Sequence, residues 1–449
     1  MNTLEMFAKD SVWKVIAKMA IPAVITITVM LLYNMADMFF VGLQNDSLQI
    51  GAISLSSPIY QILMALGTLI GAGGCSAIAR TLGTGKAEDA KDLSRLCCLM
   101  AVTSGIIFAI AVLVFIPLIL EAIGVSAQEP DLYNYTKNYS TYFSIGAPFI
   151  LVASSFSNLI RAEGSSRESM IGNGIGTVTN FILDPLFILV FHMGVSGAAI
   201  ATVLGNAASC LYYVYYFRRK NTMLALQPTR NCIRIPLFWA IVSLGFPNAI
   251  TNILASFSNA LYNRLLISYS TEIVTAFGIS GKVTMIMTMI TMGICMGIQP
   301  AIAYNYGAKN RKRTMEIVKK TALVTVITGT LLTLLCCLLR HQLVSLFTRE
   351  EKILDAAEYI AVIGMISGPF IGLYYLCTNF LQAAGNSLYA SILSILRQGI
   401  IYIPALYLLD FLFGLNGLIC TGVIVDYIVL GIGFFLLGLQ YRKFAKICI

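Results

Sequence analysis

Twelve apolar stretches follow one another along this 449-residue chain, and each is long enough to cross a lipid bilayer. A helix rises about 1.5 Å per residue, so about 20 residues cover a hydrocarbon core of about 30 Å. Because the loops are short and the stretches are far too long for barrel strands, the sequence predicts an all-α integral membrane protein. The predicted spans are 14–40, 51–77, 96–120, 137–161, 170–192, 197–217, 237–268, 273–303, 316–340, 355–383, 388–409 and 415–440.

The charged residues are few and unevenly placed. They make up 11% of the chain, against about 25% in soluble proteins, and the mean hydropathy is +0.81. With both termini placed in the cytoplasm, 23 of the 30 basic residues fall on the cytoplasmic side and four on the other. This bias predicts that orientation and explains the net charge of +9 without nucleic-acid binding.

The sequence repeats itself once. The spacing between matched positions drifts only from 225 to 220 residues, and each half holds six spans. Because six is even, both halves have the same orientation in the membrane. We therefore predict two pseudo-symmetric six-helix lobes, residues 1–225 and 226–449. The matched positions include Pro22 and Pro247, Gly73 and Gly297, Gly83 and Gly307, Gly164 and Gly385, and the motifs GVSG at 194–197 and GLNG at 414–417.

Acidic side chains inside the predicted spans are candidates for function, because a carboxylate deep in a bilayer costs about 2.5–3.5 kcal/mol. Asp37 lies in span 1, with Asn34 three residues earlier. Asp184 lies in span 5, with Asn180 four residues earlier on the same helix face. Thr202 in span 6 supplies another oxygen. The first lobe therefore holds two carboxylates and several neutral oxygens.

This group predicts a site for a coupling cation. Two nearby carboxylates in a poorly solvated site do not both stay ionised, so the site accepts a proton or a sodium ion. Na⁺ is a candidate ligand at Asp37, Asn180 and Asp184, and Pro185 frees backbone carbonyls next to them. The alternative is a polar network that only holds helices together.

The second lobe is chemically different from the first. Spans 7 and 10 hold no acid between their ends. Arg397 in span 11 and Asp426 in span 12 are candidates for a structural ion pair. Coupling is therefore expected in the first lobe.

Candidate substrate contacts lie in spans 1 and 8. Span 8 carries four methionines spaced 4, 3 and 4 residues apart on one helix face, and methionine adapts to varied apolar ligands. Packing of this stripe against lipid or core is an equal alternative. The candidates for the substrate cavity are Tyr33, Lys282, Met285, Met289, Met292 and Met296.

Four segments in this order resemble the MATE (multidrug and toxic compound extrusion) transporters of the MOP superfamily, in a bacterial DinF-like or MepA-like branch. They are YNMADMFFVG in span 1, ARTLGTGKAEDA after span 2, NFILDPLF in span 5 and YNYGAKN after span 8. The resemblance implies an antiporter of the bacterial inner membrane that exports cationic and aromatic compounds against inward H⁺ or Na⁺ flow. It also implies that Asp37, Asn180, Asp184 and Thr202 form the first-lobe cation site.

The expected function is thus export of organic cations by alternating access. Candidate bending points are Pro22, Pro185, Pro247 and Pro404. The main alternative is a lipid or lipid-linked oligosaccharide flippase of the same superfamily, which needs a cluster of basic residues in its cavity. A channel stays open as an alternative, whereas an enzyme is not expected because no catalytic or metal motif converges at a membrane face.

We expect no cofactor apart from the coupling ion. No CxxC motif is present, and His192 and His341 are the only histidines, so a zinc or haem site is not expected. The expected partners are membrane lipid and small organic cations, without nucleic acid, and the expected working unit is a monomer.

Overall fold

The computed structural model is all-helical over the residues that it describes, which are 3–42, 46–125, 129–218, 222–227, 229 and 232–447. The side chains of residues 3, 31–39, 42, 47 and 447 lie outside that description. Two π-helical segments, Leu186–Val190 and Leu396–Ile400, extend α8 and α16. The α-helices are α1 Thr3–Lys9, α2 Val12–Gly42, α3 Ser47–Leu55, α4 Ser57–Gly83, α5 Ala87–Ala122, α6 Pro130–Ile145, α7 Ala147–Ala162, α8 Ser166–Pro185, α9 Gly194–Phe217, α10 Ile235–Ile267, α11 Thr271–Gly307, α12 Arg311–Leu338, α13 Arg340–Ser345, α14 Glu351–Met365, α15 Gly368–Ala383, α16 Ser387–Ile395 and α17 Tyr402–Ile447.

Nine stretches among the described residues are long and apolar enough to cross a membrane, and two further spans are the bent helix pairs α6–α7 (52°) and α14–α15 (48°). One of the nine, Ser387–Lys446, has 60 residues, or about 90 Å of helix. Its backbone breaks at Gly414, where φ is 58°, in the left-handed region that favours glycine. Counting this stretch as two spans gives the twelve that the sequence predicts.

The described residues fold as two compact units. One is Ile25–Ala249, and the other combines Met1–Val24 with Ile250–Ile449. The linear halves 1–225 and 226–449 differ from these units in residues 1–24 and 226–249. Both boundaries lie inside helices, α2 and α10, shortly after their internal prolines. Whether the linear halves act as lobes, and whether the prolines bend, stays a prediction.

Glycine allows close helix contacts at matched positions of the repeat. A Cβ atom added at Gly73 would lie 2.1 Å from the carbonyl oxygen of Ile241. A Cβ added at Gly297 would lie 2.7 Å from the carbonyl oxygen of Met19. Both distances are shorter than any real contact of that kind, so neither position has room for a side chain. Close approach through small residues is how helices associate in membranes, where lipid is as apolar as the helix surface.

The exposed faces of the long helices are apolar. On α12 large apolar side chains with about half or more of their surface exposed recur every three or four residues, which is the period of one helix face. An apolar stripe of this length on a helix surface is what a lipid-facing helix presents. The residues of the stripe are Leu323, Ile327, Leu331, Leu334 and Leu338.

Candidate functional site

A buried carboxylate, that of Asp184, lies where α8 meets α9 in the unit Ile25–Ala249. Asp184 is 0% exposed, and Asn180 and Thr202 beside it are 3% and 8% exposed. Asn180 precedes Asp184 by one helical turn on α8, so both share one face, and α9 carries Thr202. The structure therefore brings together three of the residues predicted for the cation site.

The amide of Asn180 is the centre of this group. Its Nδ2 lies 3.5 Å from Asp184 Oδ1 and 3.5 Å from Thr202 Oγ1, which is at the long limit for a hydrogen bond. The Thr202 hydroxyl also donates to the carbonyl oxygen of Ala198 at 3.0 Å. The buried Oδ1 of Asn180 accepts no hydrogen bond from the described residues. Because a buried polar atom is costly to leave unsatisfied, this arrangement suits a site that takes up an ion or a proton.

Two glycines hold the helices of the site together. A Cβ atom added at Gly205 would lie 2.7 Å from the carbonyl oxygen of Gly176 and 2.9 Å from the Cβ of Asn180. The backbone of α9 therefore touches both the backbone of α8 and the side chain at the centre of the site. The close contact fixes the distance between Asn180 and Thr202.

The helix changes its geometry directly after the acid. Proline has no N–H, so Pro185 donates no hydrogen bond to the carbonyl of Phe181. The N–H of Leu186 bonds to the carbonyl of Leu183, and Leu186–Val190 is π-helical. Single π-helical turns inside α-helices occur frequently at functional sites.

The predicted residues of span 1 lie on the helix α2. The side chains of Tyr33, Asn34 and Asp37 are outside the described residues, so their proximity to Asp184 stays a prediction. Among the described side chains of the site, Asp184 is the only acid.

A family model decides the identity of the fold. The MatE model matches residues 22–186 and again residues 247–408. Its two matches begin at the two prolines that the sequence pairs across the repeat. The chain belongs to the MatE family. It is an all-helical membrane transporter that matches the family model twice, and it is not an enzyme.

Known relatives match this MatE transporter over nearly its whole length. Multidrug export protein MepA of Staphylococcus aureus (strain MRSA252) is 30% identical over 420 residues, covering 94% of this chain and 92% of that protein. MepA of Staphylococcus saprophyticus is 30% identical over 426 residues, with coverage of 94% and 92%. These proteins place the transporter in the MepA-like part of the family.

Solved structures show the same fold. A crystal structure of MATE in complex with MaD5 superposes with a TM-score of 0.91 at 22% identity, covering 99% of each chain. A MOP-superfamily transporter from Pyrococcus furiosus superposes with a TM-score of 0.89 at 21% identity, covering 98% of each chain.

In the second repeat of this MatE transporter, Arg397 and Asp426 lie close together. Arg397 Nε donates to Asp426 Oδ1 at 2.8 Å, and both side chains are 15% exposed. The guanidinium lies over the ring of Tyr374 at 4.6 Å and that of Tyr375 at 5.8 Å. Sequence reasoning missed these tyrosines because they lie on another helix, α15, and only packing brings that helix against Arg397.

The methionine stripe of α11 is at least partly accessible. Met285 is 39% exposed, and Met289, Met292 and Met296 are partly buried, whereas Met287 on another face is buried. The structure does not assign a ligand to the stripe, so its part in a substrate cavity stays a prediction. The Nζ of Lys282 lies 5.1 Å from the ring centroid of Phe347, at an exposed position.

Glu163, between α7 and α8, is a buried acid that sequence reasoning did not select. It is 2% exposed. Its carboxylate accepts hydrogen bonds from the hydroxyl of Tyr216 and, at 3.1 Å, from the backbone N–H of Met223. The backbone of Ala225 exchanges two further hydrogen bonds with Ser94, of 2.9 and 3.0 Å. These contacts dock the linker, residues 222–227 between α9 and α10, against α5 and the end of α7.

The docking of this linker is expected to depend on pH. Burial raises the pKa of Glu163 from its ordinary value of 4.5 to about 7, so the docked state binds the proton more tightly than an undocked state. The stabilisation is therefore complete below pH 4.5 and is lost as the pH rises through about 7. We expect the amide of Met223 to exchange its hydrogen roughly tenfold faster at pH 8 than at pH 6, after correction for intrinsic exchange.

The matched variant for this measurement is Glu163→Gln, which keeps the shape and cannot titrate. Its corrected exchange rate at Met223 should not change between pH 6 and pH 8. A pH-independent rate in the wild type, or an equal pH dependence in both proteins, would contradict the role of Glu163.

Proposed function

We propose that this chain is an antiporter that exports small organic cations and other drugs in exchange for H⁺ or Na⁺. The observation that carries the proposal is the buried group of Asp184, Asn180 and Thr202 beside a π-helical turn. Its relatives named as multidrug export proteins support the substrate class.

The chemistry of the group suits a small cation. Asp184 supplies a negative charge, and Thr202 supplies a hydroxyl oxygen within 3.5 Å of the same amide nitrogen. Rotation of the Asn180 amide by 180° would turn Oδ1 toward both of these oxygens, since the amide oxygen and nitrogen occupy equivalent places. Three oxygens would then face one point. A proton bound to Asp184 would satisfy the same group, because it turns an acceptor oxygen of the carboxylate into a hydrogen-bond donor.

Coupling follows if the ion and the drug prefer opposite conformations. A ligand moves a two-state equilibrium only through its different affinities for the two states. In this cycle an ion from outside neutralises Asp184 and favours release of the drug outside, and ion release inside restores the drug-binding state. Asp37, Asn34 and Tyr33 on α2 are proposed to complete the site, and the transporter is proposed to work as a monomer with both termini in the cytoplasm.

The test uses purified protein in liposomes loaded with a fluorescent organic cation. We expect efflux when either an inward proton gradient or an inward sodium gradient is imposed alone, and none without a gradient. The gradient that drives efflux names the coupling ion. If the protein is folded and neither gradient drives efflux of the cation, the proposal is contradicted. A flippase then becomes the next function to test.

A further inference from the structure

A groove with basic walls lies where α11 ends, α12 begins and α17 approaches its end, all within one compact unit. It has a volume of about 800 Å³. Lys309, Arg311 and Lys312 line it, together with Tyr441 and Met315. None of the described residues that line the groove is acidic. Three basic side chains and one aromatic ring therefore surround the groove.

Two of the basic residues of the groove, Arg311 and Lys312, are not paired with an acid among the described residues. Instead the guanidinium of Arg311 lies over the ring of Tyr441, 4.5 Å from its centroid. This contact joins the start of α12 to α17 and forms one wall of the groove.

The matching place in the first repeat is built in the opposite way. The first turn of α5 carries the acids Glu88 and Asp89, whereas the first turn of α12 has no acid. Lys91 lies 2.8 Å from Glu88, and Arg234 lies 3.9 Å from Asp89, so the first repeat balances its charges internally. In the second repeat the positive end of the α12 dipole adds to the basic side chains. An external anion would balance the charges of Arg311 and Lys312.

We propose that this groove binds the headgroup of an anionic phospholipid. Its basic residues lie immediately next to two membrane spans, where lipid phosphates are the most concentrated anions, and each nearby Lys or Arg adds about 1 kcal/mol to such binding. Arg311 is suited to a phosphate because its planar guanidinium donates in a fixed fork.

Apolar surface for the acyl chains continues from both sides of the groove. On α12, Leu323 follows Lys312, which lines the groove, by eleven residues and is 51% exposed. On α17, Phe434 precedes Tyr441 by seven residues and is 50% exposed. Spacings of seven and eleven residues lie close to whole helical turns, so these side chains extend the two walls along the spans. A free anion would make no favourable contact with this apolar surface, whereas the acyl chains of a lipid would. The surface therefore favours a lipid as the ligand.

The experiment measures binding of phosphatidylglycerol to the purified full-length protein by native mass spectrometry, with phosphatidylcholine for comparison. We expect the wild type to retain phosphatidylglycerol preferentially and the Arg311→Ala/Lys312→Ala variant to bind it at least tenfold more weakly. The matched control is Lys86→Ala/Lys91→Ala at the equivalent loop of the first repeat. It removes the same charge and should stay within twofold of the wild type.

Three results would overturn the proposal. They are equal retention of the two lipids by the wild type, equal weakening by both double variants, and full competition by millimolar inorganic phosphate, which would make the groove a site for free anions. If the double variant does not fold, Lys312→Ala alone provides the comparison, because this exposed side chain forms no ion pair with a described residue. It should weaken phosphatidylglycerol binding about threefold.

Discussion

The Asp184→Asn variant is expected to lose gradient-driven export by about 100-fold while it still folds. The substitution keeps the size of a side chain that is 0% exposed and removes the charge that the cation would bind. Losing an interaction of roughly 3 kcal/mol corresponds to a factor of about 100. The measurement is the initial rate of organic-cation efflux from liposomes under each gradient, normalised to the amount of reconstituted protein.

The matched control is Asp355→Asn, an identical substitution at an exposed position of α14. It should keep the wild-type rate. Drug binding without any gradient should persist in Asp184→Asn, because the proposed role of the residue is coupling. Wild-type export from Asp184→Asn would rule out its place at the centre of the mechanism.

The Gly205→Ala variant is expected to lose both stability and export. The added methyl group would lie 2.7 Å from the carbonyl oxygen of Gly176 and 2.9 Å from the Cβ of Asn180. The backbone of α8 and α9 must separate to accept it, which costs about 1–3 kcal/mol. The same movement shifts Asn180 away from Thr202, so export should fall by more than the loss of folded protein explains. The measurements are the Tm of the purified protein and its efflux rate per folded molecule.

Gly174→Ala is the control for the second experiment, because Gly174 lies on α8 and a Cβ there meets nothing within 4 Å. Alanine is favoured over glycine in a helix by about 0.5–1 kcal/mol. Its Tm should therefore equal or slightly exceed that of the wild type, with normal export. A Gly205→Ala protein with unchanged Tm and unchanged export would show that the close contact of α8 with α9 does not position the site.

Several features of this transporter follow from short-range patterns in the sequence. Hydropathy and length are properties of single segments, so twelve spans could be predicted before any packing was known. The pairing of Pro22 with Pro247 needed only internal comparison, and the family model matches from these same residues. Asn180 and Asp184 are one helical turn apart, so their common face also follows from local geometry.

The tertiary structure decided what depends on partners in other helices and loops. Glu163 is surrounded by Tyr216 and Met223, and a lone acid at the end of a helix gives no sign of that burial. The aromatic neighbours of Arg397 lie on α15. The basic groove is lined in part by Tyr441, which lies 130 residues after Arg311. The sequence by itself determined the number of spans, their repeat and the choice of Asp184 as a candidate functional acid. Burial, and with it the raised pKa of Glu163, arose only from packing, and so did the contact of Arg311 with Tyr441, because both depend on which distant parts of the chain come together.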